Sequence, residues 1–407
     1  MKMLFKMAWR NIWRNKRRSI ITISSIFCAV FFATFARSFQ IGVYNKMIGS
    51  MVGMYTGYLQ IHQKGYWDEQ SIDNSFVPDQ QTLELIQKND YVTEANERLE
   101  SFALTAHDNL SKGAIVMGVN ILKEDALMDL KPKLINGEFP SDTSNSILIS
   151  EGLASFYNLD IGDSLIFLGQ GYHGASANGI YPVKGVVKFP MPLLNERLVL
   201  MPILAAQDLF AAPERLTSLV LQIDKPSYLN KLEKQLGSKL NTETYELLNW
   251  KTLLPELVQT IQADSAGGII ILGILYMIIS FGILGTLLMM TTERMYEFGI
   301  LVSIGMRKGK LIFTMVLESL MMGLIASILG IIVVSPVRYY FKINPIRLGG
   351  KAAESIEKYG FEPVIQASTQ LDIAFNHAGI VMVIVLVCTA YPIWKILLLQ
   401  PIKAMRA

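Results

Sequence analysis

Residues Ser265–Thr292 read SAGGIIILGILYMIISFGILGTLLMMTT, a run without a single charged side chain. A helix needs about 20 mostly apolar residues to cross roughly 30 Å of hydrocarbon, so this stretch predicts a membrane span. Charge returns at once beyond it, in ERMYEFGILVSIGMRKGK (Glu293–Lys310). Working outward, three more runs qualify. Ile20–Ala36 is uncharged between Arg18 and Arg37, whose long side chains can reach back to headgroups. Leu311–Pro336 is broken only by Glu318, and Ile373–Trp394 carries no formal charge. A composition of 51% hydrophobic against 17% charged residues agrees with a chain living partly in lipid.

The expected fold class is therefore a membrane protein of four transmembrane helices, with a large α+β extracytoplasmic domain inserted between the first and second and stalk helices linking them. Its divisions are an amphipathic interfacial helix over 1–18, spans over 19–37, 265–292, 311–336 and 373–396, and the inserted domain over 38–264. A cytoplasmic coupling helix over 293–310, an external loop over 337–372 and a cytoplasmic tail over 397–407 complete it. Residues 38–266 hold 17 Lys+Arg against 27 Asp+Glu, leaving 20 and 7 of the chain's 37 and 34 for the rest, so the middle is at −10 and the remainder at +13. A basic excess confined to the flanks of apolar runs faces anionic headgroups and points away from nucleic acid.

Basic residues near span ends favour the cytoplasm. Lys2, Lys6, Arg10, Arg14, Lys16, Arg17 and Arg18, with no acid among the first 18 residues, place the N-terminus inside; four spans return the C-terminus there. The acidic domain then lies outside, in a periplasm or at a cell surface. The first apolar run is longer than a signal-peptide core and no A-x-A-like site follows it, which predicts a retained span. Before it, Leu4, Phe5, Ala8, Trp9, Ile12 and Trp13 recur at helical spacing while Lys2, Lys6, Arg10 and Arg14 recur every four residues, the pattern of a helix lying in the inner interface.

Between the first two spans, GYLQIHQ, GAIVMGVN, SILIS, DSLIFL, YPVKGVVKF, ERLVLMP and TSLVLQI read as strands. Helices are expected over 81–88, 151–157, 205–210 and 228–240, and the domain divides into two lobes. GQGYHGASANG (Gly169–Gly179) reads either as a mobile contact loop or as an ordinary long hairpin.

Catalytic machinery is not visible. The P-loop pattern G-x-x-x-x-G-K followed by Ser or Thr is missing, its nearest match GMRKGKL (Gly305–Leu311) having the wrong spacing. His62, His107, His173 and His377 are scattered without H-E-x-x-H, and Cys28 and Cys388 both sit in apolar runs, so neither a metal site nor a disulfide framework is expected. Glu318 lies eight residues past Lys310, about 12 Å along a helix, and reads either as a structural partner near the inner leaflet or as a proton-handling group.

Five stretches carry a resemblance: AWRNIWRNKRRS before the first span, TERMYEFGILVSIGMRKGKLI after the second, LESLMMGLIASILG in the third, YPIWKILLLQPIKAMRA at the end, and ISEGLASFYNLDIGDSLIFL in the domain. Together they resemble an ABC transporter permease of the MacB/FtsX-like superfamily, closest in architecture to the lipoprotein-releasing (LolC/LolE-like) permeases. The resemblance implies mechanotransmission, in which a dimer of permeases, identical or related, sits on a separate cytoplasmic ABC ATPase dimer that binds ATP and Mg, and stalks relay its closure outward. No cofactor is expected on this chain. Glu293, Arg294, Glu297, Phe298, Gly299, Leu301, Ile304 and Gly305 would form the docking segment; the alternative is a charged turn with no partner.

Lipoprotein release toward the outer membrane is the expected function, with acyl chains entering near the external ends of the first two spans. Phe31, Phe32, Phe35 and Phe39 would line that entry opposite Ile270, Ile274 and Met277, while Gln170, Tyr172, His173 and Asn178 would meet a periplasmic lipoprotein carrier. Aromatic and Met residues at helical spacing also serve as plain packing or lipid-facing positions. Export of an antimicrobial, peptide or other amphiphile, and a non-transporting permease that activates a cell-wall hydrolase, are the alternatives.

Overall fold

The computed structural model describes residues 2–357 and 361–400. The chain divides into two compact units, one formed by Met1–Lys46, Thr260–Arg347 and Val364–Ala407, the other by Met47–Gln259 and Leu348–Pro363. The first is helical and holds four helices long and apolar enough to cross a membrane.

A short helix, Lys2–Arg14, turns at Asn15 into Lys16–Met51. The second long helix is Pro255–Glu293 and the third Lys308–Ile343. The fourth apolar segment is two helices, Leu371–Cys388 and Ala390–Leu397, broken at Thr389, where one helix was expected over 373–396. The first stalk, expected over 40–54, continues the first long helix to Met51, and the second, expected over 250–261, is broken at Leu254 between Trp250–Leu253 and Pro255–Glu293. The third outruns its expected end at Pro336: buried Arg338, one residue pair further on, donates to Ser38 Oγ at 3.3 Å and to the Gln370 carbonyl at 3.1 Å, fastening this extension to its neighbours. A proline inside a membrane helix is tolerated when such contacts take up the strain. Glycine sets the closest approach: a Cβ on Gly330 would stand 3.0 Å from Val30, so the first and third helices could not meet there with a larger residue.

The other unit is built on a ten-stranded sheet: β1 Leu59–Gln63, β2 Val92–His107, β3 Leu110–Val119, β4 Leu134–Gly137, β5 Ile147–Ser150, β6 Ser164–Gln170, β7 Ser176–Val187, β8 Leu198–Pro202, β9 Ser218–Ile223 and β10 Tyr245–Asn249. β2, β3, β8, β5, β7 and β6 pair in that order and β6 returns to β2, closing a six-stranded ring. Alternate side chains fill it, with Leu99, Val116, Ile149, Leu165, Phe167, Val183 and Val199 all buried. β9, β1 and β10 continue from the first half of β2 as a second lobe. β2 thus serves both lobes, changing neighbours near Arg98, which is opposite Ser218 of β9 and Val119 of β3.

All seven expected strands are present. β2, β4 and β10 were not anticipated, nor were the helices Ile121–Met128 and Pro192–Arg197. In β2 the reason is physical: VTEANERLESFALTAH has too many charges to read as a strand, yet Arg98 is wholly buried because Glu124 and Glu100 surround its guanidinium. The segment after the third long helix was expected to be a plain loop. It contains the antiparallel pair Ile346–Arg347 and Val364–Ile365 and the helix Lys351–Glu357. Residues 401–407 of the expected tail and 358–360 of this loop lie outside the described residues.

Candidate functional site

The segment after the second long helix is where charge and shape depart most from a simple turn. Glu293 ends that helix, Arg294 makes the corner, and Met295–Ser303 forms a separate short helix. Arg294 is buried and its Nη1 donates to both Glu318 oxygens, at 2.7 and 2.8 Å, while Nη2 reaches the Asn11 carbonyl at 3.2 Å. Glu318 is accordingly the structural partner of an arginine. Two further ion pairs, Arg14 with Glu297 and Arg18 with Glu293, tie the first helices to the same corner. The bases flank the turn at Asn15 and the acids flank the corner at Arg294, so the two bends meet in opposite order.

The residues of the expected docking helix divide by burial. Arg294, Phe298 and Gly299 face inward, and Phe298 packs with Leu311, Met315, Ile396 and Leu399. Leu301 borders the same cluster. Glu293 and Glu297 are exposed but engaged with arginines. Outward with them are Tyr296, Ser303, Ile304 at 80% exposure, Gly305, Arg307 and Lys310. Gly305 has φ +106°, a left-handed conformation that favours glycine, and it lets the chain reverse into the third long helix at Lys308. Tyr296 was not on the expected list; as an exposed aromatic in a charged segment it could have been.

The short N-terminal helix packs through Ala8 and Ile12, both buried, and leaves Met3, Phe5, Trp9 and Trp13 exposed. Trp9 and Trp13 meet edge to face at 5.9 Å. Such a face fits the headgroup level of a bilayer. Arg14 and Arg18, read from sequence as lipid-facing, are instead held by carboxylates.

The expected lipid-entry residues are not brought into one wall. Phe31, Phe35 and Phe39 stack successively and continue onto Phe341 of the third long helix at 5.2 Å, with Phe32 at their side. Ile270, Ile274 and Met277 are more than half exposed on the second. At the expected entry the first two helices carry a polar clasp: Gln40 Nε2 donates to the Asp264 side chain and carbonyl at 3.1 Å, Tyr44 to the same carboxylate at 2.5 Å, and Arg37 to Ser265 at 3.2 Å. Gly268 is pressed against the Gln40 side chain, where a Cβ would come within 2.3 Å. An apolar groove of about 470 Å³ does separate these helices, but towards their other ends, lined by Ile20, Ile21, Ser25, Cys28, Ile278 and Gly282.

GQGYHGASANG is an ordered hairpin. Gln170 ends β6, Asn178 lies within β7 opposite Leu168, and the turn is closed by Gly171 N donating to the Ala175 carbonyl at 2.7 Å. Tyr172 N donates to the Phe210 carbonyl at 2.8 Å while its ring lies under Arg215, and His173 N donates to Asp73 at 2.6 Å. Among the described residues no group of three or more His, Cys, Asp or Glu side chains could hold a metal ion.

Residues 269–401 match the family model described as FtsX-like permease C-terminal. No curated protein matches the chain. Among solved structures, the periplasmic region of MacB from Actinobacillus actinomycetemcomitans is similar at 18% identity and TM-score 0.37, over 52% of this chain and 95% of that one. The extracellular domain of YknZ, a noncanonic ABC-type transporter from Gram-positive bacteria, is similar at 13% and 0.34, over 47% and 100%. The matched residues take in the second, third and fourth membrane helices and the corner built on Arg294 and Glu318. The C-terminal part of the chain, residues 269–401, thus carries an FtsX-like permease domain, in a protein with four helices long and apolar enough to cross a membrane and an α+β domain between the first and second.

Proposed function

We propose that this permease subunit works by mechanotransmission, releasing lipoproteins from the inner membrane toward the outer membrane under the power of a separate ABC ATPase dimer. Permeases of the MacB/FtsX-like superfamily work with ABC ATPases. The observation that carries the coupling part of the reading is the corner at 293–310: it offers Tyr296, Ile304 and Gly305 outward, while Arg18–Glu293 joins it to the first long helix, Arg14–Glu297 to the short helix before that, and Arg294–Glu318 to the third long helix. A push on the exposed face is thereby passed to two helices that continue toward the inserted domain, one by chain continuity through Glu293 and one through Arg14 and Arg18. Neither helix is interrupted between Lys16 and Met51 or between Pro255 and Glu293.

In this reading the N-terminal helix floats at the inner leaflet on Phe5, Trp9 and Trp13, the termini are cytoplasmic and the sheet domain is periplasmic. A second permease copy or a related subunit completes the pair. The clasp of Gln40, Tyr44 and Asp264 closes the first two helices at the outer leaflet, and Phe32, Ile270, Ile274 and Met277 are the lipid-exposed residues beneath it that acyl chains would meet on opening. The hairpin carrying Gln170, Tyr172, His173 and Asn178 is the surface offered to a periplasmic carrier.

The test is purification of the full-length protein from its native membrane with mass spectrometry of proteins and lipids. An ABC ATPase together with acylated lipoproteins is the expected result. An ATPase accompanied by an outer-membrane channel or a cell-wall hydrolase would overturn the lipoprotein reading while leaving the permease role intact.

A further inference from the structure

Where the first long helix ends, the chain makes one wide turn at Val52–Thr56 and swings into β1 through Gly57, whose φ is +63°. Beneath this joint is a cavity of about 140 Å³. Three side chains on its wall are more than nine-tenths buried and have a polar atom without a protein partner: Thr56 Oγ1, His62 Nε2 and Ser218 Oγ. A buried polar group left unpaired costs about 1–3 kcal/mol, so three converging on one space need a ligand or water to serve them.

The two hydroxyls can donate or accept, so His62 sets the polarity. His62 Nδ1 is 2.8 Å from the Thr217 carbonyl, which can only accept, so the proton is on Nδ1 and Nε2 presents a lone pair to the cavity. Glu100 adds a carboxylate that accepts from Tyr55 at 2.7 Å. Nearby Glu246 accepts from the backbone N–H groups of Gly65 and Trp67 at 3.1 and 3.0 Å, and Arg98 is shared between Glu124, its closer partner, and Glu100 at 3.5 Å, which leaves the three carboxylates in excess of one guanidinium. The rings of Tyr66 and Trp67 form the remaining wall, Tyr66 stacked on His62 at 5.0 Å. Acceptors, surplus negative charge and aromatic faces together select a cation that donates hydrogen bonds.

We propose that this cavity binds a small primary ammonium group, at the joint between the first long helix and the sheet. The N–H donors go to His62 Nε2, Ser218 Oγ and Thr56 Oγ1, with Glu100 supplying the counter-charge. The volume exceeds the 10–15 Å³ needed for one water several-fold and suits a ligand of a few heavy atoms. An occupant there would touch the turn at Val52–Thr56, β1, β2 and β9 at once, which makes the site a place where a small amine can stiffen that turn against the sheet.

The chain has four histidines, so ¹⁵N-histidine spectra of the full-length protein in lipid nanodiscs resolve His62 from the rest. Titration with ethanolamine should shift His62 Nε2 saturably, with a Kd of about 1 mM or below, while His107 and His173 stay fixed. Choline keeps the skeleton and charge but has no N–H, and ethylene glycol keeps the size without charge; both should leave His62 unmoved. Ser218→Ala should weaken ethanolamine about fivefold while His107 and His173 retain their native shifts. An equal response to choline or to ethylene glycol would overturn the ammonium assignment, and no response to any of the three would overturn the site.

Discussion

Two arginines are buried beside glutamates in this protein, one in each unit, and they are furnished differently. Arg98 bonds Glu124 at 2.5 and 3.4 Å, Glu100 at 3.5 Å and the Tyr55 carbonyl at 2.6 Å, so every guanidinium nitrogen has a partner. Arg294 has a single carboxylate, that of Glu318, and one long contact to Asn11, and its Nε is without a protein partner. Burying a charge is repaid only when its hydrogen bonds are complete. The first pair is therefore a fixture, pinning the strand that both lobes share. The second is a leaner joint, sited where three helices must shift against one another if ATP-driven motion is to pass.

The largest expected effect breaks the fixture. Glu124→Ala leaves Arg98 charged and uncompensated in the sheet and should cost about 3–5 kcal/mol, seen as early thermal unfolding of the sheet unit with loss of amide exchange protection in β2. Next comes a pH test in the same unit. Burial of His62 lowers its pKa from 6.5 to about 4, so the unfolded chain takes up a proton in that interval that the folded one refuses. Stability is complete above pH 6.5 and should fall by about 3 kcal/mol as pH drops towards 4, at 1.36 kcal/mol per pH unit. His62→Phe should flatten that part of the profile; an unchanged acid slope would place its cause elsewhere.

Smaller effects are expected at the joint. Glu318→Gln keeps the shape but removes the charge, and should lower the membrane unit's melting by about 2 kcal/mol while abolishing stimulation of the ATPase partner. Full stimulation in that variant would show that Arg294 needs no counter-charge to transmit motion. Glu297→Lys acts through a half-exposed pair worth about 0.2–1 kcal/mol, so the protein should stay membrane-inserted and lose coupling. Adding Arg14→Glu restores opposite charges and should restore coupling. If the double variant remains uncoupled with normal stability, Glu297 touches the partner itself.

The contrast also explains what could be read from sequence. Spans are governed by local composition over about 20 residues, and the strands β1, β3, β5, β6, β7, β8 and β9 by local alternation, so both are visible in one window of chain. β2 was hidden because its one wholly buried charge, Arg98, is neutralised by Glu124, which follows the next strand. The segment 293–310 was recognisable as unusual, but its facing was not: Arg294 turns inward for Glu318, 24 residues on, and Phe298 for Ile396, in the last membrane helix. Likewise, Phe31, Phe35 and Phe39 take Phe341 as their neighbour, a long-range choice that periodicity along one helix does not encode. Long-range pairing decided the direction of each side chain that local pattern had correctly marked as unusual.

The central claim is that the outward face at Tyr296, Ile304 and Gly305 receives an ABC ATPase. It is tested most directly by placing a photo-crosslinking residue at position 304 of the full-length protein, irradiating native membranes and identifying the product by mass spectrometry. The account predicts an ABC ATPase at Ile304, and lipid at Trp13. An ATPase captured at Trp13, with lipid alone at Ile304, would contradict it.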